Sequence, residues 1–212
     1  MRVVQVNLGR RTPLKVGGRD TVTGIFKQAV TGSVPVESTG LKDDAVCDGR
    51  HHGGPDQAVY LYASEDYGFW SRQLGEEVPA GAFGENLTTL GLDLRDLAVG
   101  DVLRSPQLCL QVTAPRIPCN TLATRMGDTG FVKKFVQAAR SGAYCRVLEP
   151  GRVTAGDTFS WEKFSGERIL LATFFADNHR QLDPDTLRRY LAAPIDVRTR
   201  LAFEKQLARH SA

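Results

Sequence analysis

Leu87-Thr88-Thr89, Asp101-Val102-Leu103 and Leu108-Cys109-Leu110-Gln111-Val112 are three short runs whose reading decides the fold class. Each alternates or clusters apolar and β-branched residues, and Gly100-Asp101 is a turn signal leading into the second. Short strands at such close spacing favour a barrel or sandwich over a parallel α/β sheet. Toward the N-terminus, Val3-Val4-Gln5-Val6-Asn7-Leu8 alternates as a first strand. Gly17-Gly18-Arg19-Asp20 separates Leu14-Lys15-Val16 from Thr21-Val22-Thr23-Gly24-Ile25 as a hairpin turn would. Gln57-Ala58-Val59-Tyr60-Leu61-Tyr62 reads as a further strand, followed by a helix with Ser64 as N-cap, Glu65 and Asp66 in its first turn and Gly75 as its stop.

Toward the C-terminus, Phe131, Val132, Phe135, Val136 and Ala139 recur at helical spacing behind Asp128, a possible cap, and Ser141-Gly142 ends that helix. Tyr144 to Leu148 is a strand, closed by the turn Glu149-Pro150-Gly151, and Gly156-Asp157 leads into another. From about residue 172 the pattern becomes helical. Asp183-Pro184 starts one helix, and Ala193-Pro194 breaks it before a last helix from about Asp196 to Arg209. The expected architecture is mainly β within an α+β class: a β-rich body with inserted helices and a helical tail.

The 212 residues suffice for one well-filled domain with a small appendage, and an apolar fraction of 42% is ordinary for a globular protein. The apolar runs are too short to span a bilayer, and the N-terminus alternates where a signal peptide would be continuously apolar, so the chain is expected to be cytoplasmic. A net charge of +3 with scattered basic residues makes no case for nucleic acid, which needs a basic stripe on one face. The basic residues of the last helices read as a solvated face. Cys47, Cys109, Cys119 and Cys145 have no CxxC spacing, which argues against a disulfide framework or a structural zinc site.

Three stretches carry candidate chemistry. In Pro115-Arg116-Ile117-Pro118-Cys119-Asn120 the prolines stiffen the loop, and a helix beginning near Asn120 would place Cys119 at its N-terminus beside Arg116. Both features favour thiolate, which is a nucleophile and a soft metal ligand; the other reading of Cys119 is a small buried hydrophobe. Cys109 reads as a core residue, Cys145 sits in a strand, and acidic neighbours oppose thiolate formation at Cys47. The second stretch is His51-His52-Gly53-Gly54-Pro55-Asp56. Its glycines let backbone N–H groups cradle an anion, and His52, next to them, is the more functional histidine; a plain polar turn is the alternative. Adjacent histidines in extended chain face opposite ways and would not share a metal. The third is Gly81-Ala82-Phe83-Gly84-Glu85-Asn86-Leu87, where Asn86 either reads a polar heterocycle or forms a turn.

Together and in this order, His52-Gly53-Gly54-Pro55-Asp56-Gln57-Ala58-Val59, Phe83-Gly84-Glu85-Asn86-Leu87, Gln111-Val112 through Pro115-Arg116-Ile117-Pro118-Cys119, and Arg146-Val147-Leu148-Glu149-Pro150-Gly151 with Gly156-Asp157 resemble the MOSC domain family, in its stand-alone bacterial branch. The resemblance implies a MOSC-type β-barrel over residues 1–165 with a small helical extension over 166–212. It also implies a cleft for molybdenum cofactor (molybdopterin carrying Mo), with Cys119 as the metal ligand. His52, Gly53, Gly54 and Arg116 would hold the cofactor's anionic parts, with Asn86 and Arg146 as further binding candidates. The implied activity is reduction of N-hydroxylated bases or related N-oxygenated small molecules for detoxification, with electrons from a separate donor protein, since no GxGxxG motif or iron–sulfur cysteine set is present. Two other functions stay open: a carrier of the cofactor or of sulfur without turnover, and a metal-free thiol enzyme in which His52 is the base for Cys119. The sequence departs from the family pattern at Gly40-Leu41-Lys42-Asp43-Asp44, where Asp43 replaces a glycine, and at Gly142-Ala143-Tyr144-Cys145. If that glycine is needed for φ > 0, Asp is among the residues that tolerate the conformation best.

Overall fold

The computed structural model describes residues 1–49, 52–178 and 180–210. The chain opens with β1 (Arg2–Gly9), the hairpin β2 (Thr12–Val16) and β3 (Arg19–Thr23), then β4 (Lys27–Val30), β5 (Val34–Glu37) and β6 (Gly40–Leu41). β7 (Val59–Ala63), α1 (Ser64–Leu74) and β8 (Leu87–Leu90) follow, then β9 (Val102–Arg104) and β10 (Cys109–Ala114). Next come α2 (Asn120–Arg125), α3 (Phe131–Ala138), β11 (Ala143–Glu149), β12 (Gly151–Val153) and β13 (Ser160–Glu162). Three helices, α4 (Leu171–Asp177), α5 (Pro184–Ala192) and α6 (Val197–His210), complete the described chain. The fold is mixed α+β and mostly sheet.

Eight strands form the main sheet in the order β13-β9-β10-β11-β7-β8-β1-β4. Among the described residues no ladder joins its two ends, so the expected barrel is a curled, open sheet. The curl is nonetheless nearly complete. Just ahead of β13, Thr158 bridges Arg2, and backbone N–H groups of Gly156 and Phe159 donate to Val3 and Met1 at 2.8 Å each. Most neighbours are antiparallel, but β7 and β8 run parallel with Leu61 opposite Leu87. A parallel pair needs a crossover, and α1 supplies it.

The helix caps differ in part from the sequence expectation. Ser64 lies inside α1 and Ala63 is its N-cap; the break comes one residue earlier because β7 runs directly into the helix. Gly130 caps α3, while Asp128 accepts from the Gly130 N–H at 2.8 Å and pairs with Lys134. Asp183 caps α5 as expected, accepting from the N–H groups of Asp185 and Thr186.

An aromatic cluster fastens α1 and α3 to the sheet. The Phe83 ring stacks on Tyr62 with centroids 4.4 Å apart, and Trp70 stacks on Phe135 at 5.8 Å. Trp70, Phe83, Phe131 and Phe135 are all buried. Each such side chain contributes roughly 1.5–3 kcal/mol on leaving water. The consequence for function is that the backbone at Phe83, which borders the site, is firmly placed.

Candidate functional site

One cleft of about 790 Å³, its open mouth included, gathers most of the residues that the sequence singled out; Gly54 and Arg146 are not in its lining. Its walls come from the β2–β3 hairpin, the run Asp44 to Asp48 with His52 and Gly53, the floor strands at Lys27 and Tyr60, the Gly84–Asn86 turn, and the loop carrying Arg116 and Cys119. His52, Gly53, Asn86, Arg116 and Cys119 thus face one space although they are far apart in sequence. His51 lies outside the described residues.

Cys119 is the N-cap residue of α2, directly after the Pro115–Pro118 loop. It is partly buried and free. Burial alone would push its thiol up. A hydrogen bond donated by His52 and the positive charge of Arg116 outweigh that, and the thiol comes down to about 6. Burial pushes the thiols of Cys109 and Cys145 up instead, as suits core residues. Cys47 is a second thiol lining the cleft.

Arg116 is only 4% exposed. Its Nη1 donates to the Phe83 carbonyl, and its guanidinium lies over the Tyr60 ring. Among the described residues its Nε has no hydrogen-bond partner, an unmet donor on a residue of the cleft wall. Gly53, in the cleft lining, and Gly54 next to it adopt φ of 70° and 80°, left-handed conformations that side chains resist. A Cβ on Gly53 would also stand 2.5 Å from a methyl of Val46. The loop is held from behind: Arg198 of α6 donates from Nη2 to the carbonyl oxygens of Gly49, His52 and Gly53 at 2.9–3.2 Å.

The cleft floor is polar and closely paired. Lys27 and Asp44 form a buried ion pair, with side chains 6% and 5% exposed. Burial pulls the Lys27 ammonium down despite the attraction of Asp44. Asp44 also accepts from the Gly9 N–H at 2.7 Å and from Asn86 Nδ2 at 2.8 Å. The Asn86 Oδ1 accepts from the Tyr60 N–H at 3.1 Å, so most of that amide serves the architecture. Glu85, fully buried behind it, accepts from Tyr67, from the Gly81 N–H at 2.6 Å and from Thr88 at 2.8 Å.

Arg146 does not line this cleft. It pairs with Asp56 at 3.0 Å and donates to the carbonyls of Pro194 and Ile195, which ties β11 and the glycine loop to the start of α6. Lys27, Tyr60 and Tyr144 line the cleft but were not picked out as site residues from the sequence. Lys27 sits in an unremarkable strand, and only the pairing of β1 with β4, which sets Gly9 opposite Lys27, brings it to Asp44. Asp44 had a signal, since it ends the Gly40–Asp44 run.

A family model for the MOSC domain matches residues 48–160, which holds the glycine loop, the Asn86 turn and the Cys119 loop. The chain belongs to the MOSC domain family. It is 40% identical over 154 residues to the uncharacterized protein YflK of Bacillus subtilis, covering 73% of this chain and 70% of that one. It is 31% identical over 183 residues to a Gibberella moniliformis protein named a reductase, covering 80% of this MOSC chain but 32% of that longer protein. The crystal structure of YiiM from Geobacillus stearothermophilus superposes with a TM-score of 0.79 at 27% identity, covering 97% of this chain and 98% of that one. Among the described residues no helix is long and apolar enough to cross a membrane.

Proposed function

We propose that this MOSC protein is an oxidoreductase that holds molybdenum cofactor in the cleft and removes oxygen from N-hydroxylated bases or related N-oxygenated compounds. The observation that carries the reading is Cys119, a thiol drawn down to about 6 by His52 and Arg116 in the wall of a roomy cleft. A thiolate is the soft ligand that such a metal takes. Among the described residues no group of three or more His, Cys, Asp and Glu side chains could hold a metal ion. Cys119 would therefore be a lone protein ligand, with the other donors arriving on the cofactor.

The residues present fit that group. The unmet Nε of Arg116 and the left-handed Gly53-Gly54 backbone suit its anionic parts, with His52 beside them. The Asn86 amide, in the cleft lining, suits a heterocycle edge. Arg146 acts at one remove, by holding Asp56 and with it the glycine loop. When bound, the cofactor supplies a metal centre able to pass two electrons. Reduction of an N-hydroxyl consumes two electrons and two protons and releases water, so the chain needs a separate electron donor, and His52 is placed to hold or move a proton beside Cys119. We assign residues 166–212 as a helical extension on a body of residues 1–165, and place the protein in the cytoplasm.

The hydrogen bond from His52 to Cys119 also favours a second reading, a metal-free thiol enzyme with His52 as its base. Purification from cofactor-competent cells separates the two. Molybdenum and pterin in the wild type, lost in Cys119→Ser, support the first reading. A metal-free wild type overturns it, and equal metal in both proteins removes Cys119 as the ligand. Bound cofactor without reduction of hydroxylamine-type bases by a supplied donor would make the protein a carrier.

A further inference from the structure

Behind the glycine loop lies a second hollow of about 380 Å³, its opening to solvent included, bordered by His52, Gln57, Ile117, Tyr144, Phe174 and Asp196 among others. His52, Gln57 and Tyr144 also border the main cleft, so these three side chains form the partition between the two spaces. The far wall belongs to the C-terminal helices, beyond the stretch that the MOSC family model matches.

Asn178 and Thr199, which carry donors, also border the cavity, yet two acceptors of its wall stay bare. Asp196 is only 1% exposed. Its Oδ1 accepts from the N–H groups of Arg198 and Thr199 at 3.2 Å each, capping α6. Among the described residues its Oδ2 has no hydrogen-bond partner, and neither has the Oε1 of Gln57. Both orphans are acceptors, and a buried acceptor left bare costs about 1–3 kcal/mol, more when it is charged. A polar space of this size with two waiting acceptors suits an ordered water with donors to give.

We propose that this back cavity holds water that links Asp196 and Gln57 to His52, which makes Asp196 a positioning residue for the His52–Cys119 pair. The inference rests on Cys119 and His52 being the working centre, not on the metal. An acceptor behind a histidine fixes the orientation and tautomer of its ring, and so holds the ring in register with the sulfur in front. Helix capping alone does not require a carboxylate, because asparagine caps as well as aspartate. The C-terminal helices would then complete the site as well as brace it.

The test compares Asp196→Asn with wild type in the cofactor-free protein. The variant keeps the cap and presents an N–H where the orphan oxygen stood. At fixed pH, Cys119 alkylation by iodoacetamide should slow roughly tenfold, while Cys47, which lines the same cleft, keeps its rate and the melting temperature holds. A wild-type Cys119 rate in a folded Asp196→Asn protein overturns the proposal. If that variant does not fold, Gln57→Met removes the other acceptor and should slow Cys119 in the same selective way; an unchanged rate there also overturns it. A crystal structure with the cavity dry would do so too. Because the readout needs no molybdenum, it stands or falls separately from the cofactor reading.

Discussion

The guanidinium of Arg116 lies 5.0 Å from the centroid of the Tyr60 ring, and both are buried. A cation placed over an aromatic face and away from water keeps its charge and projects it on its neighbours. One neighbour is Cys119, whose thiol it helps to bring down.

The first prediction concerns that thiol. Its folded value of about 6 lies below the ordinary 9.0, so the thiolate is favoured in the folded state. Alkylation of Cys119 in cofactor-free protein should be half-maximal near pH 6 and flat above about pH 8. The linkage has a matching sign: this group's contribution to stability is fully present above pH 9 and is lost as pH falls through about 6. Arg116→Met removes the charge and should raise the half-maximal pH by about one. An unmoved profile in a folded variant would show that Arg116 does not act on the thiol.

The second prediction uses the buried pair Lys27 and Asp44. Lys27→Met leaves a carboxylate buried without its cation and should cost about 3–5 kcal/mol. Adding Asp44→Asn removes the stranded charge, so the double variant should recover more than half of the loss. Urea denaturation of the two singles and the double measures the coupling. Additive losses would mean that the pair does not interact.

How much of this was legible in the sequence differs by residue. The Gly17-Gly18 hairpin, the α5 cap at Asp183 and the helix start after Cys119 rest on local chemistry, and each stands where the sequence put it. The joining of the Cys119, Asn86 and His52 stretches into one cleft came through family resemblance, since no local rule sets residues so distant in sequence face to face. Lys27 and Tyr144 carry no local signal at all. Their role depends on strand register and on which face of a curled sheet is hollow. Arg146 shows the opposite error of scale: an arginine near a site motif reads as a ligand for anions, whereas its partner is Asp56 of the same chain.

The third prediction tests the brace behind the glycine loop. Arg198 bonds three loop carbonyls from one guanidinium. Arg198→Met removes the donor and its charge, which leaves the three carbonyls without this partner. It should cost about 1–2 kcal/mol by thermal or urea unfolding. Molybdenum content after purification from cofactor-competent cells should fall with it. Full stability and full metal content in that variant would assign Arg198 no part in holding the loop.

The last prediction concerns Asp43, where the family pattern has glycine. Asp43 adopts φ of 65°, one of two non-glycine residues at positive φ among those described, and it immediately precedes the Asp44 that pairs with Lys27. The turn therefore keeps the left-handed shape for which glycine is suited, and aspartate tolerates it at some cost. Asp43→Gly relieves that strain but frees the unfolded chain, so the net gain should be small, about 0.5 kcal/mol. Asp43→Val meets the full penalty and should lose about 1–2 kcal/mol. Because Asp44 anchors Asn86 as well as Lys27, the valine variant should also loosen the cleft floor, seen as faster amide exchange at Tyr60, whose N–H is held by Asn86. Equal stability of the glycine and valine variants would show that the turn does not depend on its left-handed residue.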